Sequence, residues 1–144
     1  MQCPICEKNN QHHHLEIYRN QHIVVSHAPL DANILGYIYI EPLDHYENWS
    51  DIPLEVLNDV QTIMKKIDLF LRNEQLAERV YSVTISEMVR HIHYHIIPRH
   101  KDMKVKGVSL IEKATQQIAN ENDIELTIDQ VDQFIEKAQK SINI

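Results

Sequence analysis

Short runs of alternating apolar and polar residues open this 144-residue chain, and longer runs with helical spacing follow them. Leu15 to Arg19 and His22 to Ser26 are β-type runs separated by Asn20-Gln21, which predicts two strands joined by a turn. Ala28-Pro29-Leu30-Asp31 reads as a loop. Ile34 to Ile40 predicts a strong strand with Gly36 inside it, and Glu41-Pro42 ends it. Ser50-Asp51-Ile52-Pro53 then gives a helix start, a polar cap followed by proline in the first turn. That helix runs to about Arg72, because Val56, Leu57, Val60, Ile63, Met64, Ile67 and Leu71 recur at spacings of three and four. Val80 to Ile85 predicts a further strand. Beyond Gly107, Leu110, Ile111, Ala114 and Ile118 fit one helix face. Ile128, Val131, Ile135 and Ala138 fit another, behind a Thr127/Gln130 pair that resembles a capping box. Strands, one long helix, two strands and added helices, without regular βα alternation, predict an α+β fold. Its expected form is a largely antiparallel sheet with one long helix packed on it and additional carboxyl-terminal helices. Residues 1–106 would carry the sheet, and residues 107–144 would form a helical extension of the same globular unit.

The most informative run is His91-Ile92-His93-Tyr94-His95-Ile96-Ile97-Pro98-Arg99. Its period of two reads as a strand, with residues two apart roughly 6.6 Å apart on one face. All three imidazoles then share a face, and Ile92, Tyr94 and Ile96 share the other. Ile96 and Ile97 make the strand central and well covered. Pro98 is expected to stop the hydrogen-bond ladder, which leaves Arg99 and His100 at a strand end. Packing does not ask for three titratable rings, whereas imidazole suits proton transfer, nucleophilic attack and metal ligation near pH 7. The three rings span roughly 13 Å along a strand, too far to converge on one ion. His12, His13 and His14 form a second tract, expected to be an exposed turn.

Composition narrows the classes. The length suits one domain able to bury a core without staples. No stretch approaches a transmembrane helix, and the amino terminus lacks the organisation of a secretory signal, so a soluble, cytoplasmic protein is expected. A formal charge of −7 argues against general nucleic-acid or membrane-surface binding. With only two glycines, Gly36 and Gly107, neither a P-loop nor a dinucleotide fingerprint can be assembled. Cys3 and Cys6, in Cys-Pro-Ile-Cys, supply half of a tetrahedral zinc site, so any remaining ligands must come from distant histidines.

The residues His91-Ile-His93-Tyr-His95-Ile-Ile resemble the histidine-triad (HIT) motif, His-φ-His-φ-His-φ-φ, with the Pro-Arg often seen after it. Upstream, Gly36-Tyr37-Ile38-Tyr39-Ile40-Glu41-Pro42-Leu43-Asp44-His45 looks like the family's strand that ends in proline and then histidine. The amino-terminal Cys-x-x-Cys is similar to that of the zinc-binding bacterial branch. The resemblance covers about residues 1–100 and does not extend to the tail. It implies nucleotidyl transfer to water from a nucleoside phosphoramidate or a dinucleoside polyphosphate. His93 would be the nucleophile and His95 a phosphate contact. Cys3, Cys6, His45 and His91 would hold a structural zinc ion, and the protein would be a homodimer.

Several positions depart from the family's pattern. Family members commonly carry Gly-Gln-Ser before the triad, where this chain has Ser86-Glu87-Met88-Val89-Arg90. An ionised carboxylate at Glu87 cannot donate to phosphate, and Met88 offers no hydroxyl. The supporting histidine expected after Gly36 is replaced by Tyr37. Ser86, Arg99 and His27 remain the candidate substrate contacts; Asp31 lies near His27, and alternation turns Arg90 away from the histidine face. These departures leave a second reading, a nucleotide-binding protein with little or no catalytic activity.

Overall fold

The computed structural model describes residues 2–118 and 125–142. In chain order the elements are α1 (Pro4–Asn9), β1 (Glu16–Arg19), β2 (Ile23–His27), β3 (Ile38–Pro42), α2 (Leu54–Asn73), β4 (Arg79–Val83), β5 (Tyr94–Arg99), α3 (Val108–Thr115) and α4 (Ile128–Ile142). The five strands form one sheet in the order β1-β2-β3-β5-β4, every pairing antiparallel. This is the α+β arrangement expected from the pattern. β3 and β5 are neighbours because the chain leaves the sheet through α2 and returns by way of β4.

Alternation along β3 and β5 divides the molecule into two layers of core. Ile38, Ile40, Tyr94 and Ile96 face α2 and α4, packing with Val56, Val60, Ile63, Ile67, Leu71, Val131 and Ile135. Ile97 faces the other way, with Tyr37, Leu110 and Ala114, so α3 covers the second face. Tyr39 and His95 belong to that second face, and β3 and β5 hold them in register as direct partners. The carboxyl-terminal helices are therefore built into the body of the fold. The capping box at α4 forms as expected: Gln130 N donates to Thr127 Oγ1 at 3.2 Å and Thr127 N to Gln130 Oε1 at 3.0 Å.

Four local expectations are corrected. The strand predicted from Ile34 begins at Ile38, because Gly36 sits at φ +88°, a left-handed conformation outside the range of regular extended strand. Pro53 is itself the N-cap of α2, without a side-chain cap bond, and Ser50 and Asp51 lie in a preceding 3-10 turn. The triad strand begins at Tyr94 rather than His91. The Ile92 N–H bonds the Tyr46 carbonyl at 2.8 Å and the His93 N–H bonds Ser86 Oγ at 3.1 Å, so loops replace the ladder there. Pro98 lies inside β5, paired with Val80, beyond the last residue that pairs with β3; with a neighbour on one side only, proline is tolerated. The predicted helix faces also missed Phe70 and Phe134, whose rings are buried against each other with centroids 5.4 Å apart. Ile118 and Ile128 are exposed instead.

Candidate functional site

Loops that deliver the first two triad histidines to the start of β5 separate them into different jobs. His91 is fully buried, and its Nε2 lies 2.7 Å from the Pro42 carbonyl. A carbonyl only accepts, so Nε2 carries the hydrogen and Nδ1 is left with its lone pair. That Nδ1 lies 3.5 Å from Cys3 Sγ and 3.4 Å from Cys6 Sγ. His45 Nδ1 is 3.6 Å from Cys6 Sγ, and its Nε2 is 3.3 Å from the Glu47 carboxylate. All four donor atoms lie within 4.8 Å of one another.

The spacing can be tested against a metal. Zinc–sulfur bonds of about 2.3 Å and zinc–nitrogen bonds of about 2.0–2.1 Å put sulfur–nitrogen edges of a tetrahedron at roughly 3.5–3.6 Å. The observed separations of 3.4 to 3.6 Å match those edges. Both histidines also have their second nitrogen engaged, the arrangement that fixes a ligating ring. Without a cation, burial and the neighbouring Cys3 push the Cys6 thiol up to about 11. A Cys6 thiolate at neutral pH therefore needs a positive charge beside it. Cys3, Cys6, His45 and His91 could hold a metal ion, and the set leaves no open position.

His93 is oriented differently. Its Nδ1 lies 2.7 Å from the carbonyl of His91, which again assigns the hydrogen to Nδ1 and the lone pair to Nε2. Ser86 Oγ, at 3.4 Å from Nδ1, braces the same ring while accepting the His93 N–H. Ser86 has φ +53°, a strained setting for a residue with a side chain, at the turn that brings this hydroxyl under His93. Among the described residues no group bonds His93 Nε2.

His95 stands beside it, the ring centroids 5.0 Å apart. Burial lowers its pKa to about 4, so the ring is neutral near pH 7. Its Nδ1 is 2.6 Å from the hydroxyl of Tyr37. Tyr37 therefore occupies the place where the resemblance calls for a histidine, and it bonds the third triad histidine.

His93, His95 and Ser86 line a cleft of about 450 Å³, within the range of small-ligand sites. Five further contributors escaped the pattern. Lys8 from α1 reaches the cleft while paired with the buried Glu41 at 2.9 Å. Tyr39 forms one wall, and Thr115, Gln116 and Gln117 at the end of α3 form another. Glu87 lines it too, as the sequence implied. A larger cavity, of about 700 Å³, opens beside the cysteine pair and shares Met88 and Val89 with the cleft. It contains neither His93 nor His95.

The other candidate contacts lie elsewhere. His27 is buried at the end of β2, its Nδ1 at 2.7 Å from the Ala28 carbonyl and its Nε2 accepting the Gly36 N–H at 3.0 Å. It braces the turn before β3 and does not line the cleft. Arg99 is buried near the far end of β5, 3.5 Å from Glu78, and does not line it either. Asp31 lies in the 3-10 turn Leu30–Ala32. No helix among the described residues is long and apolar enough to cross a membrane.

Comparison with known proteins bears on the fold and the family. No curated protein sequence gives a significant match. Solved structures do. A zinc-bound histidine triad family protein from Mycobacterium smegmatis superposes with a TM-score of 0.69 at 15% identity, covering 98% of this chain and 95% of that one. A hypothetical histidine triad nucleotide-binding protein from Sulfolobus tokodaii gives 0.67 at 17% identity, covering 98% and 92%. The Plasmodium falciparum diadenosine triphosphate hydrolase gives 0.57 at 16% identity, covering 92% and 79%. At such identities these likenesses establish the fold. The model of the HIT domain matches residues 9–102, which hold the whole triad, its supporting strand and two of the four clustered metal-binding candidates. With His93 and His95 in one cleft, His91 beside the cysteine pair, and about two-thirds of the sequence matched, the chain belongs to the HIT domain family.

Proposed function

We propose that the protein is a nucleotide hydrolase that works through a covalent nucleotidyl-His93 intermediate. The observation that carries this is the fixed state of His93: its Nδ1 hydrogen is committed to the His91 carbonyl, so Nε2 keeps a lone pair in the cleft. In the first step Nε2 attacks the α-phosphorus of a nucleoside phosphoramidate or dinucleoside polyphosphate. The bond from phosphorus to the leaving amine or phosphate breaks, and the leaving group departs with its electron pair and takes up a proton. Water then attacks phosphorus, the phosphorus–nitrogen bond breaks, and the nucleoside monophosphate is released with His93 regenerated. Splitting one displacement into two is the benefit of an imidazole nucleophile. Positioning and neutralisation of the equatorial oxygens supply the remainder.

His95 contributes a hydrogen-bond donor to those oxygens. The amides of Gln116 and Gln117 stand in for the amide that Glu87 does not provide, while the Thr115 hydroxyl donates to the Ile111 carbonyl at 2.8 Å. Ser86 acts on His93 rather than on substrate alone. Zinc at Cys3, Cys6, His45 and His91 is structural in this reading, tying α1 to the approach to β5. We also carry forward a homodimer and a cytoplasmic location, to be tested by sedimentation and by fractionation.

The test is turnover. Wild type should hydrolyse adenosine phosphoramidate or a diadenosine polyphosphate, and His93→Ala should lose at least about a thousandfold in kcat. Full turnover by His93→Ala would end the proposal. Glu87 favours the second reading, a nucleotide-binding protein with little catalysis, because its carboxylate shares the cleft with Glu41 and repels phosphate. Calorimetric binding of a nucleoside monophosphate, with no product from any substrate, would decide for that reading.

A further inference from the structure

We infer that Tyr37 is a positioning residue whose hydroxyl donates to His95 Nδ1 and so fixes His95 as the tautomer with its hydrogen on Nε2, the nitrogen on the opposite side of the ring. The use made of that hydrogen rests on the nucleotidyl-histidine reading; the tautomer itself belongs to the resting protein.

The direction of the bond follows from the competitors for the phenolic proton. Tyr37 Oη and His95 Nδ1 are 2.6 Å apart, within hydrogen-bond range. Tyr37 has one phenolic proton and three neighbours for it. The Ala114 carbonyl is 3.4 Å away and already accepts the Gln117 N–H at 3.1 Å. The Tyr39 hydroxyl, which interacts with both Tyr37 and Gln117, brings a proton of its own. His95 Nδ1 is the closest acceptor, and among the described residues no other group bonds it. Burial supports the assignment by keeping both partners uncharged: it raises the Tyr37 phenol and lowers His95 to about 4. A neutral imidazole has one donor and one acceptor nitrogen, so acceptance at Nδ1 places the hydrogen on Nε2.

The result is a matched pair of rings. His93 is held with its second nitrogen bare by the His91 carbonyl, and His95 is held with its second nitrogen protonated by Tyr37. One offers the electron pair and the other a hydrogen bond, within one cleft. Tyr37 reaches this place because Gly36, at φ +88°, turns the chain just before β3 and leaves the tyrosine fully buried beneath α3.

Long-range nitrogen–proton correlation spectra of the ¹⁵N-labelled, zinc-loaded full chain at pH 7 read the tautomer directly, with no substrate present. His95 Nδ1 should show the shift of an unprotonated nitrogen and Nε2 that of a protonated one; the reverse assignment overturns the proposal. In Tyr37→Phe the Nδ1 signal should move, and kcat should fall roughly tenfold with KM nearly unchanged, the effect of one lost hydrogen bond. Unchanged nitrogen shifts together with unchanged kcat would also overturn it. If Tyr37→Phe does not fold, the wild-type spectrum decides alone. Failure of the hydrolase reading would appear as absent turnover in wild type, with the spectrum still deciding the tautomer.

Discussion

Replacing Cys3 by serine removes one donor from a set of four whose sulfur–nitrogen edges already match a tetrahedral ion. The consequence reaches beyond the ion. Helix α1 has six residues, too few to be stable without tertiary contacts. Its attachments include the Lys8 and Asn9 bonds to Glu41, the Arg19 bond to the Asn9 carbonyl and the cysteine pair beside His91. At free zinc about a thousandfold above the dissociation constant, binding to the folded state alone contributes about 4 kcal/mol. An unfolding entropy of about 2.1 cal/mol/K per residue gives roughly 0.3 kcal/mol/K for a chain this long. Wild type should therefore melt roughly 14 °C higher with zinc than after chelation. The assay is thermal unfolding by circular dichroism, with metal content measured on the same samples. Wild type should retain about one zinc per chain, and Cys3→Ser should melt near chelated wild type whether or not zinc is added. Equal melting temperatures with and without zinc, in a wild-type protein that retains none, would refute the reasoning.

Three more outcomes follow from particular contacts. Gly36→Ala should cost about 1–3 kcal/mol in denaturant unfolding, because φ is +88° and the new Cβ would sit 2.9 Å from Leu71 Cδ2; an unchanged midpoint would contradict it. Thr127→Ala should cost about 1 kcal/mol by removing the capping box of α4, read as a lower melting temperature, and full stability would show that the cap contributes nothing. His27 and His95 both have folded pKa values of about 4, lowered by burial from an unfolded value of about 6.5. The unfolded chain then binds more protons between those values. Stability should be full above pH 6.5 and fall toward pH 4 by about 1.4 kcal/mol per pH unit for each ring; a flat profile from pH 7 to pH 5 would contradict this.

The fold was legible where one period governs a long run. The α2 face and the α+β arrangement follow from apolar spacing, because tertiary packing and helical period agree there. Boundaries were lost where a backbone setting, invisible to hydropathy, decides. Gly36 turns the chain inside an apolar run, and Pro98 is tolerated because β3 ends before it. The apolar face of the triad came out as expected, with Ile92, Tyr94 and Ile96 in one core, whereas of the three imidazoles only His93 and His95 share the cleft and His91 joins the cysteine pair. Which ring does which job was not readable from spacing, since it depends on carbonyls and hydroxyls contributed by distant loops. The Cys3/Cys6/His45/His91 set came from resemblance and is assembled in space. Tyr37 was visible only as a missing histidine. Its bond to His95, and the approach of Thr115, Gln116 and Gln117, required the path of the tail helix, which no motif announces.

The central claim is that His93 takes up a nucleotide covalently while His91 serves the metal cluster. Mixing the zinc-loaded protein with adenosine phosphoramidate, quenching rapidly, and mapping the adduct by peptide mass spectrometry tests it most directly. The account predicts an added nucleotidyl mass on the peptide containing His93, localised to that ring and absent in His93→Ala. Product formation with the adduct on another residue, or with no adduct under conditions that trap a turnover intermediate, would contradict it.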